Sequence, residues 1–258
     1  MSVPPARKEL GQHFLVDENI LGVVGRLSDL APDDVVLEVG PGLGVLTRFL
    51  ADRVRFVHAV ELDRSLEPAL LDSHGDRANV ALVWGDALRL AVDELHPVPS
   101  KLVSNLPYNI ATPLVVETLE HADSLTRWCV MVQREVADRF FASPRTKAYG
   151  AVSVLVQLAA RKVGFHRVPP AVFRPRPRVD SALVAFERDA TAPIARVRGV
   201  VEAAFAHRRK TIANSVALTG LASRGSVEEA LVSLGLAAGA RAEELEPRAF
   251  VELAEALR

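Results

Sequence analysis

Short apolar runs alternate with helix-like stretches through the first 190 residues, and this alternation restricts the fold more than any other feature. Continuous apolar strands separated by helices are typical of a parallel sheet with helices on both faces. The predicted strands are residues 35–39, 55–60, 80–84, 101–104, 127–133, 162–168 and 180–186. The predicted helices between them are residues 46–51, 64–71, 112–120, 134–141 and 150–160, and Asp17 is predicted to cap an earlier helix.

The pattern changes after Arg188, where the strand-like runs end. Three amphipathic stretches follow, at residues 197–206, 227–234 and 247–256. We therefore predict an α/β fold in which residues 1–190 form a Rossmann-like domain with a mostly parallel seven-stranded sheet. Residues 191–258 are predicted to form a small all-α domain, and residues 189–193 are predicted to join the two.

Composition excludes several classes of protein. The 258 residues are 49% hydrophobic and 24% charged, which is typical of a globular protein with a large core. No apolar run reaches the roughly 18 residues that a membrane span needs, and no signal stretch begins the chain, so we expect a cytoplasmic protein. The single cysteine, Cys129, is interpreted as a buried thiol. No carboxylate or cysteine was found at ligand spacing from the seven histidines, so no metal site is expected.

Charge is segregated along the chain although the net charge is only −1. Between Asp138 and Asp180 there is no acidic residue but nine lysines and arginines, and a second basic cluster consists of His207, Arg208, Arg209 and Lys210. A merely solvated face explains such runs as well. A protein that places one face on phosphates requires this segregation, so we interpret both runs as candidate nucleic-acid surfaces.

A glycine-rich turn follows the first predicted strand of the sheet. Gly40, Gly42 and Gly44 stand between that strand and the next helix. Gly40 and Gly42 would let the backbone approach a ligand closely at the carboxyl end of the strand, where doubly wound sheets bind cofactors. Val45 stands where a dinucleotide fingerprint has its third spaced glycine. The turn therefore favours a nucleoside cofactor without a pyrophosphate.

Acidic residues end the next two predicted strands. Glu61, 21 residues after Gly40, suits a carboxylate that accepts hydrogen bonds from ribose hydroxyls. Asp86 could take an adenine amino group, although either acid alone could be a simple cap. Together with the glycine turn they resemble the S-adenosylmethionine site of class I methyltransferases.

The fourth predicted strand runs into Asn105, Leu106, Pro107 and Tyr108. An exocyclic adenine amine is a poor nucleophile, and two oxygen acceptors would hold it for in-line attack on a methyl group: the Asn105 side chain and a backbone carbonyl of Leu106 or Pro107. Tyr108 offers a ring on which the base could stack. An ordinary turn has the same residue types, but its place in the sheet favours the chemical interpretation.

A proline-rich basic loop follows later, at residues 173–181. A base in folded RNA must leave its stack to enter such a pocket, and Phe173 is predicted to form the opposite wall of an aromatic sandwich, unless it is buried under the loop. Arg174, Arg176 and Arg178 are predicted to contact phosphates.

With these motifs, the chain resembles the ribosomal RNA adenine dimethyltransferase family, of the small-subunit KsgA type. The resemblance rests on residues 11–15, 38–44, 105–110, 173–181 and 205–215. It implies dimethylation of two adjacent adenosines in the terminal helix of 16S rRNA during assembly of the 30S subunit, by a monomer. It also implies that His13, Leu15, Gly40, Glu61, Asp86 and Asn105 contact S-adenosylmethionine, although position 13 is often Asn in the family.

Three other functions are compatible with parts of this pattern. The related methyltransferases that act on 23S rRNA and confer antibiotic resistance share the motif at residues 173–181, whereas residues 205–215 favour the small-subunit enzymes. A non-catalytic assembly or transcription factor could use the same scaffold, but such a protein is expected to have lost the glycine turn or the Asn105 motif. A nicotinamide oxidoreductase is disfavoured by Val45 in the turn.

Overall fold

A seven-stranded sheet forms the centre of the α/β part of the chain in a computed structural model that describes residues 7, 11–74, 77–189 and 194–258. Two further strands, β1 and β8, form a small sheet of their own. The strand order of the large sheet is β4-β3-β2-β5-β6-β9-β7. The strands are β1 (Phe14–Leu15), β2 (Val35–Val39), β3 (Phe56–Glu61), β4 (Val80–Trp84), β5 (Lys101–Asn105), β6 (Arg127–Gln133), β7 (Ala160–Val168), β8 (Phe173–Arg174) and β9 (Ser181–Arg188).

The large sheet is mostly parallel, as the sequence predicts. β2 pairs in parallel with β3 and β5, β3 with β4, and β5 with β6, while β9 returns antiparallel to β6. Every residue of β2 is buried, because helices cover both faces of a parallel sheet. This is why the strands read as continuous apolar runs and not as alternating ones.

The ten helices of the described residues include each one that the sequence predicts. Asp17 caps the first helix by accepting a hydrogen bond from the backbone N–H of Asn19 at 2.8 Å, as predicted. The helices are α1 (Glu18–Ser28), α2 (Val45–Ala51), α3 (Glu67–His74), α4 (Ala111–His121), α5 (Arg134–Phe140), α6 (Ala151–Ala159), α7 (Ile194–Phe205), α8 (Ile212–Thr219), α9 (Arg224–Ser233) and α10 (Pro247–Ala256). Helix α8 was not predicted.

The chain divides into two compact units whose boundaries differ from the predicted ones. The first unit contains Met1–Ala137 and Arg161–Arg188, and the second contains Asp138–Ala160 and Asp189–Arg258. The segment before β7 joins the helical unit because Tyr149 is buried there: its hydroxyl donates to the Leu245 carbonyl at 2.8 Å. Its ring also meets Phe205 edge-on at 5.9 Å. Of the predicted joint, residues 190–193 lie outside the described residues.

Two predictions from composition can be compared with the structure. Cys129 is buried in the sheet, and burial raises the pKa of its thiol to about 11, so the interpretation as an inert core thiol is confirmed. Among the described residues, no helix is both long and apolar enough to cross a membrane.

Candidate active site

A cleft opens at the carboxyl ends of β2, β3, β4 and β5, and it gathers most of the predicted site residues. The empty space inside it, counted out to open solvent, is about 970 Å³. The predicted residues that line it are His13, Leu15, Gly40, Glu61, Asp86, Asn105, Leu106, Pro107 and Tyr108. Gly42 and Phe173 are not part of the lining, although the Gly42 N–H donates a hydrogen bond to Glu61, which is.

The glycine turn is shaped by close packing against two other segments. Gly40 has a φ of 71°, and a Cβ placed there would lie 3.0 Å from the ring of Pro107. Gly42 has a φ of 61°, and its Cβ would lie 2.9 Å from the Phe14 ring. Both positions therefore require glycine, for the backbone angle and for the space. The turn and the Asn105 motif are thereby held against each other.

Glu61 is held in a fixed position at the end of β3. Its Oε1 accepts hydrogen bonds from the backbone N–H groups of Leu62 and Asp63, both at 2.9 Å, and its Oε2 accepts one from Gly42 at 3.3 Å. Burial raises the pKa of this carboxyl, and the three backbone donors oppose that effect. A pre-positioned acceptor of this kind suits ribose hydroxyls.

Glu38 is a site residue that the sequence analysis did not single out. It lines the cleft from within β2 and is 1% exposed. Its Oε2 has no hydrogen-bond partner among the described residues. Burial raises its pKa to about 8, the nearby negative charge of Glu61 adds to the shift, and the Thr47 side chain opposes it. The signal was available, because an acid inside an otherwise apolar strand is costly unless a ligand or partner compensates it.

The unpartnered Glu38 oxygen provides a test of whether the cleft fits S-adenosylmethionine. That molecule has an α-ammonium group and a sulfonium centre. A buried carboxyl group without a partner can ionise when a cation binds beside it, and it is then complementary to that cation. Glu61 offers a carboxylate that could accept hydrogen bonds from ribose hydroxyls. The donors and acceptors of the cleft therefore fit this cofactor.

Asp86 acts as a cap as well as a candidate ligand. Its Oδ1 accepts a hydrogen bond from the backbone N–H of Leu88 at 3.0 Å, and its Oδ2 lies 3.7 Å from Nε of Arg89. The cap that was the alternative is therefore present, at the start of a short 3-10 turn after β4. Asp86 also lines the cleft, and its role as a ligand stays a prediction.

The orientation of the Asn105 amide follows from a hydrogen bond that its side chain donates. Its Nδ2 donates to the backbone carbonyl of His13 at 3.0 Å. Because the amide nitrogen points toward the His13 carbonyl, the amide oxygen Oδ1 points the opposite way and can accept a hydrogen bond there. The carbonyl of Pro107 accepts from the N–H of Ile110 at 3.1 Å, which favours the Leu106 carbonyl as the second acceptor for an amine.

The prediction that Phe173 forms a wall of the base site is wrong for this structure. Phe173 is 2% exposed and belongs to the core cluster of the first unit. It is buried because β8 pairs antiparallel with β1, which sets Phe173 opposite Leu15. The aromatic neighbour of Tyr108 is instead His13, whose ring centroid lies 5.2 Å away at an interplanar angle of 35°.

The basic residues predicted to contact RNA lie in two places. Arg174, Arg176 and Arg178 are all exposed in the first unit. In the second unit, Arg209 and Lys210 are exposed in the turn between α7 and α8. Arg208 has protein partners there: it donates to the Lys147 carbonyl at 2.7 Å and lies 3.7 Å from a Glu243 oxygen.

Ser215 explains why the basic turn has a defined shape. Its hydroxyl is fully buried, donates to the Ala203 carbonyl at 2.7 Å and accepts from the N–H of His207 at 3.1 Å. The run 207–210 is therefore a turn held at its base by α8, and it is not part of a helix.

Two carboxylates do lie at ligand spacing from a histidine, contrary to the prediction. On α4, ligand atoms of Glu117, Glu120 and His121 all lie within 4.8 Å of one another. The group lies on the surface, and the His121 ring is 3.5 Å from Glu117. An ion pair accounts for this arrangement, and it does not by itself indicate a metal site.

Comparison with known proteins gives consistent similarities over nearly the whole chain. Residues 4–258 match the family model described as "Ribosomal RNA adenine dimethylase". The chain is 50% identical to the "Ribosomal RNA small subunit methyltransferase A" of Rubrobacter xylanophilus, over 97% of this chain and 94% of that protein. It is 40% identical to the protein of the same name from Geobacter metallireducens, over 98% and 95%.

Two solved structures resemble the fold. A dimethyladenosine transferase from Plasmodium falciparum aligns with a TM-score of 0.77 and 22% identity, over 93% of this chain and 96% of that one. The 23S rRNA methyltransferase ErmE aligns with a TM-score of 0.67 and 31% identity, over 95% and 99%. Both confirm a class I methyltransferase sheet with a helical C-terminal part.

Proposed function

The chain belongs to the ribosomal RNA adenine dimethylase family, and from that premise we propose that it transfers methyl groups from S-adenosylmethionine to N6 of adenine. The proposed targets are two adjacent adenosines in the 3'-terminal helix of 16S rRNA, which become N6,N6-dimethyladenosines during assembly of the 30S subunit. The observation that carries this proposal is the Asn105 amide, whose Nδ2 is engaged by the His13 carbonyl at 3.0 Å at the edge of the cofactor cleft.

Different residues of the cleft would hold different parts of the cofactor. The Gly40 turn and Glu61 would hold the ribose, Asp86 would accept from the adenine, and Glu38 would face the cationic part of the molecule. When bound, S-adenosylmethionine supplies an electrophilic methyl group on its sulfonium sulfur.

The target amine is activated by position and not by a base. The Asn105 side-chain oxygen and the Leu106 carbonyl accept its two hydrogens, which aligns the nitrogen lone pair with the methyl group. Residues 105–110 include no carboxylate. The nitrogen loses its proton to water after it has been methylated, since methylation makes it more acidic.

The small-subunit target is supported by the degree of similarity. The relatives named for the small subunit reach 50% identity, whereas the 23S rRNA enzyme reaches 31%. The His207–Lys210 turn, built on the motif at residues 205–215, offers cations for rRNA phosphates. We propose that the chain acts as a monomer in the cytoplasm, where subunits assemble.

Transfer of radiolabelled methyl groups tests the proposal. The substrates are 30S subunits from cells that lack the modification, with fully modified 30S subunits and with 50S subunits as controls. The proposal predicts incorporation into the unmodified 30S subunits alone. Incorporation into 50S subunits would support the 23S alternative, and binding without incorporation would support a non-catalytic assembly factor.

A further inference from the structure

The hydroxyl of Tyr108 has a partner in a distant part of the sequence. It lies 2.7 Å from Oγ of Ser181, and either oxygen can donate. Ser181 is the first residue of β9, is fully buried, and pairs in register with Gln133 of β6. The central sheet, and not the proline-rich loop before it, therefore fixes the position of this serine hydroxyl.

The Tyr108 ring needs a contact of this kind to stay in one position in the cleft. The ring lines the cleft and is only partly buried, and Tyr108 lies in a turn and not within a helix or strand. The His13 ring packs near it at a tilt. A hydrogen bond at the far end of the ring limits the swing of the side chain about its Cα–Cβ bond and so fixes where the ring lies.

The surroundings of Tyr108 bring three segments together at one end of the cleft. His13 Nδ1 lies 2.7 Å from the Pro175 carbonyl, so this nitrogen must carry the hydrogen, because a carbonyl can only accept. The His13 carbonyl accepts from Asn105. The loop that begins at Phe173 is thus tied to the Asn105 motif twice, once through His13 and once through Ser181.

We propose that Ser181 is a positioning residue for methyl transfer: through its hydrogen bond to Tyr108 it fixes the ring on which the target adenine stacks. This inference rests on the proposed function and deepens it. Since Phe173 is buried, Tyr108 is the aromatic ring of the motif that remains available to the base. Burial also raises the pKa of the Tyr108 hydroxyl, so the pair is an uncharged hydrogen bond at neutral pH.

A double-mutant cycle tests this role. Ser181→Ala and Tyr108→Phe each remove one end of the same hydrogen bond, and the double variant removes both. Ser153→Ala is the matched control, because Ser153 is another fully buried serine, which bonds the Arg139 carbonyl in the helical unit. For each protein, kcat and KM for unmodified 30S subunits and the Kd for S-adenosylhomocysteine are measured, together with the melting temperature.

The expected result is a loss of about tenfold in kcat/KM for each single variant. The double variant should lose no more than either single one, because they share one interaction. Affinity for S-adenosylhomocysteine should stay within about twofold, and Ser153→Ala should keep the wild-type kcat and KM.

Three results would overturn the inference. They are wild-type turnover in Ser181→Ala, losses that multiply in the double variant, and a loss of S-adenosylhomocysteine affinity that accounts for the loss of turnover. If Ser181→Ala does not fold, Tyr108→Phe alone decides, and its full activity would refute the inference. Failure of the proposed function is distinguishable, because then the wild-type protein itself incorporates no methyl groups.

Discussion

Asn105 is the residue on which the proposed chemistry depends. Its amide nitrogen donates to the His13 carbonyl, so its amide oxygen is positioned to accept a hydrogen bond from the target amine. The Asn105→Ala variant should lower kcat by about 10²- to 10³-fold, the usual cost of removing an aligned polar group from a transition state. Affinity for S-adenosylhomocysteine should fall only moderately. Calorimetry and single-turnover transfer measure the two effects, and undiminished turnover would remove Asn105 from the mechanism.

The raised pKa of Glu38 predicts that the stability of the fold depends on pH. Its pKa in the folded chain is about 8, against an ordinary value of 4.5. Between these values the folded state holds a proton that the unfolded state releases, so rising pH destabilises the fold until about pH 8. The Glu38→Gln variant lacks this penalty. In the absence of ligand, the unfolding free energy of the variant minus that of the wild type should rise by roughly 1–3 kcal/mol from pH 6 to pH 9.

Denaturant titrations at the two pH values measure this difference. Glu255→Gln, which changes an exposed carboxyl of α10, is the control and should follow the wild type. An advantage of Glu38→Gln that is the same at both pH values would contradict the raised pKa.

Single residues differed in how well the sequence predicted them. The sequence placed Glu61, Asp86 and Asn105 together because each lies at or just after the end of a strand, and strand ends meet at one edge of a parallel sheet. All three line the cleft. Phe173 was misplaced because its burial depends on pairing between β1 and β8, which are separated by most of the first unit. No local pattern encodes such a contact.

At the scale of elements, the strand β2 and its glycine turn position the cofactor side of the cleft. Gly40→Ala would place a methyl group 3.0 Å from Pro107 at a positive φ of 71°. We expect a loss of about 1–3 kcal/mol in stability and a loss of at least tenfold in S-adenosylhomocysteine affinity. Chemical denaturation and calorimetry measure these.

Gly199→Ala is the matched control for that variant. Gly199 lies within α7, and a Cβ there would meet no atom within 4 Å, so the change should be neutral or stabilising by up to about 1 kcal/mol. Equal effects of the two substitutions would show that the Gly40 turn is not specially constrained.

Most elements were predicted from the sequence because their signals are local. β2, β4, β6 and α10 have the predicted bounds, since buried parallel strands and an amphipathic helix each have a clear pattern. Helix α8 was missed because it follows a basic run and contains Asn214, Ser215 and Thr219, which favour helices weakly. Packing, shown by the buried Ile212 and Val216, stabilises it instead.

In the molecule as a whole, the second unit contributes a basic turn, and its positively charged side chains differ in whether they already have partners within the protein. Arg208 is engaged by Glu243 and the Lys147 carbonyl, whereas Arg209 and Lys210 are exposed. Replacing Arg209 and Lys210 by alanine should weaken RNA binding and flatten its dependence on salt. The slope of log K against log salt should fall by about 1–2, since each phosphate contact contributes roughly 0.7–0.9.

Filter binding over a range of salt concentrations measures that slope. Arg224→Ala is the control, because Arg224 is an exposed arginine of the same unit that pairs with Glu228 at 2.7 Å. An unchanged slope in the double variant would exclude this turn as an RNA contact.

The proposed dimethylation of adenine N6 at one place in small-subunit rRNA can be mapped by mass spectrometry. Unmodified 30S subunits react with S-adenosylmethionine and the wild-type or the Asn105→Ala protein, and the modified nucleotides are then located. We expect two adjacent N6,N6-dimethyladenosines in the 3'-terminal helix of 16S rRNA, with the wild-type protein only. Modification elsewhere, on another atom, or equally with the variant would contradict it.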